Sequence, residues 1–187
     1  VDAAFEMREQ VERGELPQPD ALWVAAGTIG TAVGLAIGLR AAGLPTRVHA
    51  VRTSSLRYVS ERAFAREMQA TVRSLRALCA GFPSVTYDPQ VHVLEHDQVG
   101  RGYALPTAAG KRASDLAEQL TALTLDGTYT SKVVAGLMVR GKEAGGRVLY
   151  WHTYDGRPLD VRGLGPGDLP PVFRGYFVST SKGGKGS

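Results

Sequence analysis

The sequence predicts a doubly wound α/β fold, in which helices cover both faces of a mostly parallel sheet. Short apolar runs of strand length alternate with helical patterns along the chain, and turns rich in glycine and hydroxyl residues separate them. These apolar runs are nearly continuous, as expected for strands that are buried on both sides. We therefore expect a three-layer, Rossmann-like domain.

The first half of the chain predicts the order helix, strand, helix, strand, helix. Residues 3–13 show a helical pattern, and the apolar run 21–26, bounded by turn residues, predicts a buried strand. A glycine and threonine turn precedes a helix over 32–42, and a second strand is expected over 46–51. Residues 60–79 carry an apolar stripe at three- and four-residue spacing, which predicts an amphipathic helix that packs against the core. The stripe consists of Phe64, Met68, Val72, Leu75 and Cys79.

The second half continues the alternation. A third strand is expected over 91–94 and a fourth over 147–153, both rich in β-branched and aromatic residues. Thr107 is the expected cap of a helix that reaches about Leu120. A further helix, capped by Thr130 or Ser131, is expected to run through Arg140.

The composition indicates a globular protein from a reducing compartment. Of 187 residues, 43% are hydrophobic, and the lone Cys79 permits no intrachain disulfide. The net charge of +4 gives little support to nucleic-acid binding, because the arginines are scattered and those in the helical stretch 60–79 alternate with glutamates, as on a solvated helix face. No apolar run reaches membrane-spanning length, and residues 1–15 lack the layout of a secretory signal. We therefore expect a soluble, cytoplasmic protein with no membrane or nucleic-acid partner.

The segment from Ala26 to Thr31 joins a predicted buried strand to a predicted helix. Gly27 and Gly30 allow the backbone to approach an anion closely, the hydroxyls of Thr28 and Thr31 can donate to phosphate oxygens, and a helix N-terminus follows. The pattern matches neither the P-loop nor the dinucleotide fingerprint. From the residues alone, a phosphate cradle and a plain strand-to-helix turn have similar weight.

Two later loops that precede helices each carry a tyrosine, and polar residues follow the fourth predicted strand. Tyr103 and Tyr129 each lie on a loop just before a helix, at the sheet edge where open α/β folds bind ligands. His152 and Thr153 follow the fourth predicted strand. Taken singly, each tyrosine is more often a packing residue, and His152 is more often a core or rim histidine than a ligand. No recognised metal-ligand spacing occurs, so no metal site is expected.

In this order, these segments resemble the C-terminal portion of the family of pyridoxal-phosphate enzymes that contains the aminocyclopropane-carboxylate deaminases and D-cysteine desulfhydrases. The resemblance runs from residues 9–17 to residues 169–177 and includes the Gly-Thr-Ile-Gly-Thr loop, the Gly-Thr-Tyr-Thr segment and Trp-His-Thr-Tyr. It implies the larger domain of a fold-type-II, tryptophan synthase beta-like enzyme, with the N-terminal part absent. A lyase or deaminase of a small amino acid is the implied activity.

The same resemblance implies roles for individual residues. The phosphate of pyridoxal 5'-phosphate would be held by one continuous loop, which consists of Gly27, Thr28, Ile29, Gly30 and Thr31. Thr153, with Thr130 as a second candidate, would lie near the pyridine nitrogen of the cofactor. Tyr103 and Tyr129 match the family's active-site tyrosines and would relay protons if their pKa values fell below the usual value of about 10.

The sequence also departs from the family. Ile29 replaces a glycine that many relatives carry, and Ala108-Ala109 and Tyr154-Asp155 replace other family residues, so the substrate remains open. No lysine matches the Schiff-base lysine of the family, which predicts a companion N-terminal polypeptide or a homo-oligomer. Lys132 is interpreted as structural.

Two other functions remain open from the residues alone. One is a non-catalytic module that binds a phosphate ligand or assembles with a partner, and the other, ranked last, is a basic nucleic-acid-binding domain. Residues 1–178 are expected to form a single partial domain, and residues 179–187 a disordered tail or cloning remnant, because they contain only Ser, Thr, Lys and Gly.

Overall fold

The computed structural model describes residues 1–157, 163 and 165–174. Val1–Gly156 forms one compact unit, and the described residues that follow belong to a second unit. The second unit contains a 3-10 turn, Pro166–Asp168, and a short helix, Pro171–Arg174. Residues 175–187 lie outside the described residues, including the predicted tail with Lys182 and Lys185 and the end of the family resemblance. The single domain over 1–178 therefore stays a prediction.

The first unit alternates helices and strands in the predicted order. Its elements are α1 (Asp2–Glu12), β1 (Ala21–Ala26), α2 (Gly30–Ala41), β2 (Arg47–Arg52), α3 (Glu61–Leu78), β3 (His92–Glu95), α4 (Ala108–Thr121), α5 (Thr130–Ala144) and β4 (Val148–Tyr150).

The four strands form one sheet in the order β3-β2-β1-β4. All three pairings are parallel, so the predicted parallel α/β class is confirmed. The chain adds β2 and β3 on one side of β1 and then returns to add β4 on the other side. This reversal creates a switch point beside the carboxyl end of β1, which is where open α/β sheets bind ligands.

Successive residues of β1 contact opposite helix layers. Leu22 and Val24 belong to the core that includes α1, α2 and α3, whereas Trp23 packs with Val133 of α5 on the other face. Burial on both faces explains why the strand is continuously apolar. The predicted three-layer architecture is therefore confirmed.

The predicted burial of the apolar stripe of α3 is confirmed except at its last residue. Phe64, Met68 and Val72 are buried, and Leu75 packs against the same core. Cys79 is exposed, because the helix ends at Leu78 and residue 79 is extended, with φ of −141° and ψ of 102°. The expected burial of Cys79 was therefore wrong.

The fourth strand is shorter than predicted. Only Val148–Tyr150 pairs with β1, although the N–H of Trp151 also donates to the carbonyl of Trp23 at 2.8 Å. The polar residues His152 and Thr153 leave the ladder, so their side chains lie just beyond the strand end.

Among the described residues, no helix has both the length and the apolar character that crossing a bilayer requires.

Candidate functional site

A cavity of about 320 Å³ opens at the switch point beside the end of β1. It brings together the predicted cradle loop, one of the two predicted tyrosines and the predicted strand-end threonine. Its lining residues are Ala25, Gly27, Thr28, Ile29, Gly30, Thr31, Tyr129 and Thr153.

The cradle loop presents backbone N–H groups to this cavity. α2 begins at Gly30 without a side-chain cap, and the N–H groups of Thr31 and Ala32 have no partner within the described chain. The side chains of Thr28 and Thr31 are exposed at the cavity. Free N–H groups, hydroxyls and the positive end of a helix form a suitable environment for a compact anion.

Ile29 adopts a conformation that usually requires glycine. Its φ of 57° is in the left-handed region, which costs a β-branched residue roughly 1–2 kcal/mol. The side chain is nevertheless buried in the core of α1, α2 and α3, and burial of an isoleucine gains about 1.5–3 kcal/mol. Burial therefore offsets the backbone strain and explains how this chain tolerates a residue other than glycine here.

Two hydroxyls that the sequence analysis missed hold the cradle loop from β2. Thr53 donates to the carbonyl of Ala26 at 3.2 Å, and the Ser54 hydroxyl donates to the carbonyl of Gly27. Both side chains are buried. Their position just after β2, at the same sheet edge as the cradle, was a signal available in the sequence.

Gly27 allows the ring of Tyr129 to approach the cradle. A Cβ atom at Gly27 would lie 2.9 Å from Cε1 of Tyr129, which is closer than real contacts allow. The close approach of ring and backbone therefore requires glycine, and it forms one wall of the cavity.

The two predicted tyrosines contact each other, and Tyr129 lines the cavity. Their hydroxyl oxygens are 2.6 Å apart and their rings are in edge contact. The hydrogen bond with Tyr103, followed by burial, raises the pKa of Tyr129 above its usual value. A raised pKa keeps the Tyr129 phenol protonated at neutral pH, and either hydroxyl can donate in the hydrogen bond between the two tyrosines. The lowered pKa on which the predicted proton relay was conditional is therefore not found for Tyr129, and its role in catalysis stays a prediction.

Asp126 organises the loop that carries Tyr129. Its carboxylate accepts hydrogen bonds from the N–H groups of Thr128, Tyr129 and Thr130 at 2.7–3.0 Å, and from the Thr130 hydroxyl at 2.7 Å. Burial alone would raise the pKa of Asp126, but these hydrogen bonds outweigh it and lower the pKa. Asp126 therefore caps the first turn of α5.

The predicted caps of α5, Thr130 and Ser131, were wrong. Thr130 is the first residue of the helix and is buried, with its hydroxyl directed to Asp126. Ser131 is buried where α5 approaches α4, because a Cβ atom at Gly110 would lie only 2.9 Å from its hydroxyl oxygen. Thr130 also does not line the cavity, whereas Thr153 does.

Lys132 supports the loop that carries Tyr103. The side chain is fully buried, and its ammonium donates to the carbonyls of Val99 and Gly102 at 3.0 and 3.3 Å. Burial lowers the pKa of this amine. Its bonds to the Tyr103 loop agree with the structural interpretation made from the sequence.

The remaining polar groups near the strand end pair with each other. His152 Nδ1 lies 2.9 Å from the hydroxyl of Tyr150, and burial raises the pKa of that phenol to about 12. The described residues contain no group of three or more His, Cys, Asp or Glu side chains arranged to hold a metal.

Comparison with known proteins identifies related sequences. Residues 1–153 match the family model described as pyridoxal-phosphate dependent enzyme. The D-cysteine desulfhydrases of Salmonella paratyphi B and Salmonella newport are 31% identical to the chain over 138 residues, which is 74% of this chain. The chain spans 39% of the length of these relatives.

A solved structure shares the fold. The crystal structure of an ACC deaminase homologue superposes with a TM-score of 0.63 at 19% identity, covering 79% of this chain and 43% of the other. The four-stranded parallel sheet and its helix layers therefore correspond to a known architecture.

We expect replacement of Asp126 by Asn to destabilise the protein by about 1–2 kcal/mol at neutral pH, because the four donors lose a charged acceptor and the new NH2 group cannot accept a hydrogen bond. The pKa of the Asp126 carboxyl is lowered from 3.8. The carboxylate therefore contributes to the free energy of unfolding above that pH, and this contribution is lost as the pH falls through the folded-state pKa. Urea unfolding of both proteins at neutral and acidic pH measures the difference. Asp115→Asn, at an exposed pair with Lys111, is the control, and an equal effect of both changes would contradict the prediction.

We expect Tyr103→Phe to lower the pKa of Tyr129, because the largest cause of its elevation is removed. Ultraviolet titration of phenolate absorbance, taken as the difference from a Tyr129→Phe protein, measures the midpoint. Tyr58→Phe removes an exposed phenol elsewhere and should leave that midpoint unchanged. An unshifted midpoint in Tyr103→Phe would mean that the two phenols do not interact in solution.

Proposed function

Because the chain belongs to the pyridoxal-phosphate-dependent enzyme family, we propose that it forms the phosphate-binding part of a lyase or deaminase that acts on a small amino acid. The observation that carries this proposal is the cavity that the cradle loop, Tyr129 and Thr153 share. The names of the D-cysteine desulfhydrases and of the ACC deaminase homologue support this substrate class.

The cradle suits the phosphate of the cofactor. Gly27, Thr28, Ile29, Gly30 and Thr31 would hold it through free N–H groups and hydroxyls, and none of the residues that line the cavity is a carboxylate that would repel it. When bound, the cofactor would withdraw electrons from the reacting carbon of the substrate. Thr153 is favoured over Thr130 as the partner of the pyridine nitrogen, because the Thr130 hydroxyl is bonded to Asp126.

The two phenols would transfer protons to and from the cavity, which Tyr129 lines. Tyr129 touches the cradle, and its hydroxyl is hydrogen-bonded to the hydroxyl of the exposed Tyr103. Because the pKa of Tyr129 is raised, this phenol would act first as a proton donor, and Tyr103 would exchange the proton with substrate or solvent. Asp126 and Lys132 would position the two loops.

The lysine that binds the cofactor covalently would come from another polypeptide segment. Lys111 is exposed and paired with Asp115, and the Lys132 ammonium is bonded to two backbone carbonyls. We propose that a companion polypeptide or a second copy supplies this lysine. Exposed apolar side chains on the first unit, including Leu120, Met138 and Val139, support the presence of such a partner.

We also propose that the protein acts in the cytoplasm. Cys79 is a free, exposed thiol, and such a thiol is best preserved in a reducing compartment.

Gly30→Ala should weaken the binding of pyridoxal phosphate by about tenfold or more without lowering thermal stability. A Cβ atom at this position meets no protein atom within 4 Å, so the methyl group would take space from the anion and not from the fold. Gly81→Ala is the matched control, because its Cβ atom also meets nothing within 4 Å and the residue does not line the cavity. Calorimetric titration with the cofactor measures the affinity, and unchanged binding by Gly30→Ala would refute the cradle.

Activity is tested by adding pyridoxal phosphate and a polypeptide that carries the family lysine, with D-cysteine or aminocyclopropane-carboxylate as substrate. We expect release of an α-keto acid with ammonia, and also sulfide from D-cysteine. Tyr129→Phe should lower kcat about a hundredfold or more, whereas Tyr58→Phe should not. Cofactor binding without any keto acid would instead favour a non-catalytic phosphate-binding module.

A further inference from the structure

A larger cavity, of about 740 Å³, lies between α3 and the segment that follows this helix. We call it the arginine groove, and it is defined by Arg66, Gln69, Arg73 and Arg76 on α3 and by Ser84 and Thr86 on the facing segment. It shares no residue with the cavity at the cradle. The proposed function therefore leaves it without a role.

The arginines of the groove lie on one face of α3. Positions 66, 69, 73 and 76 follow the three- and four-residue spacing that places side chains in a single row. Arg73 and Arg76 are neighbours one turn apart, and Arg66 lies about 10 Å from Arg73 along the helix axis. The groove therefore presents a paired positive end and a single positive end.

The floor between the two ends is apolar. Val72 and Val85 line the groove and are themselves buried. The hydroxyls of Ser84 and Thr86, both exposed, face the arginines from the opposite wall. An occupant would thus meet positive charge at its ends, an apolar surface below and hydroxyl groups along one side.

The three guanidinium groups of the groove are not neutralised by the protein. Within the described part of the chain, none of them forms an ion pair or a hydrogen bond, and no carboxylate lines the groove. Arg140 differs, because it pairs with Glu95 and Asp97. Like charges in one row of a helix destabilise it, so an anion in the groove would relieve this repulsion.

We propose that the arginine groove binds an elongated, phosphorylated small molecule with at least two negative groups. Arg73 and Arg76 together match one phosphate, because each guanidinium group can donate two parallel hydrogen bonds to phosphate oxygens. Arg66 matches a second anionic group about two helical turns away. The cavity volume is within the range of about 300–1,000 Å³ that is typical of small-molecule sites.

This site is separate from the cradle in place and in chemistry. The cradle is built from backbone N–H groups at the start of α2, whereas the groove uses side-chain cations on α3, which packs against α2 through its other face. Filling the cradle with its cofactor therefore leaves the groove open. The test below uses this independence.

The test is a calorimetric titration of the full chain with ATP and with fructose bisphosphate, in the presence of saturating pyridoxal phosphate. We expect fructose bisphosphate to bind through both ends of the groove and ATP through its triphosphate at the Arg73 and Arg76 end. We expect the double variant Arg73→Gln/Arg76→Gln to lose at least about tenfold in affinity for each probe. Arg57→Gln/Arg112→Gln removes the same charge from two exposed arginines that lie outside α3 and do not line the groove. This control should change the affinity less than about twofold.

Three results would overturn the proposal. One is the absence of binding by either probe at roughly millimolar concentration, and another is an equal loss of affinity in the control double variant. The third is binding to RNA that is tighter than binding to ATP and that strengthens with RNA length, because this would indicate a nucleic-acid surface. Circular dichroism of both double variants verifies that they are folded.

Discussion

Parallel pairing of β1 with β2 and β4 is the constraint on which the candidate site depends. Parallel strands end at the same edge of the sheet, so residues that are distant in sequence meet there without any long loop. Thr53, at the end of β2, can therefore bond to the carbonyl of Ala26 at the end of β1. Thr153, beyond β4, reaches the same cavity from the other side. Loss of this pairing would separate the cradle from the residues that support it.

The second requirement is a fixed position for the two phenols, and buried polar groups provide it. The Asp126 carboxylate accepts four hydrogen bonds within five residues, which fixes the backbone of Tyr129. The Lys132 ammonium fixes the loop of Tyr103 from the opposite side. Hydrogen bonds to charged groups contribute about 1.5–3 kcal/mol each, more than the neutral hydrogen bond between the phenols. The charged groups therefore determine the geometry, and the phenol pair follows from it.

Sequence patterns predicted those parts of the fold that local chemistry determines. The bounds of β1 agree with the predicted 21–26, because turn residues flank an apolar run, and Thr107 caps α4 through the N–H of Gly110 as expected. The cap of α5 was missed because Asp126 lies four residues before the helix and acts through a folded loop. The contact between Tyr103 and Tyr129 joins residues 26 positions apart, and the left-handed Ile29 depends on burial. Both need the tertiary structure.

The cradle and the arginine groove attract anions in physically different ways. Backbone N–H groups at the start of α2 have fixed positions, so a phosphate that binds them incurs little loss of side-chain entropy and must match one geometry. The arginine side chains on α3 are exposed and can change conformation, so they select ligands by negative charge more than by exact shape. Salt screens their attraction for anions. A cofactor that must be held in one orientation for chemistry suits the first arrangement. A ligand that only has to be bound, without reacting, suits the arginine groove. Catalysis would then depend on α2 and binding of the second ligand on α3, two helices of the same layer.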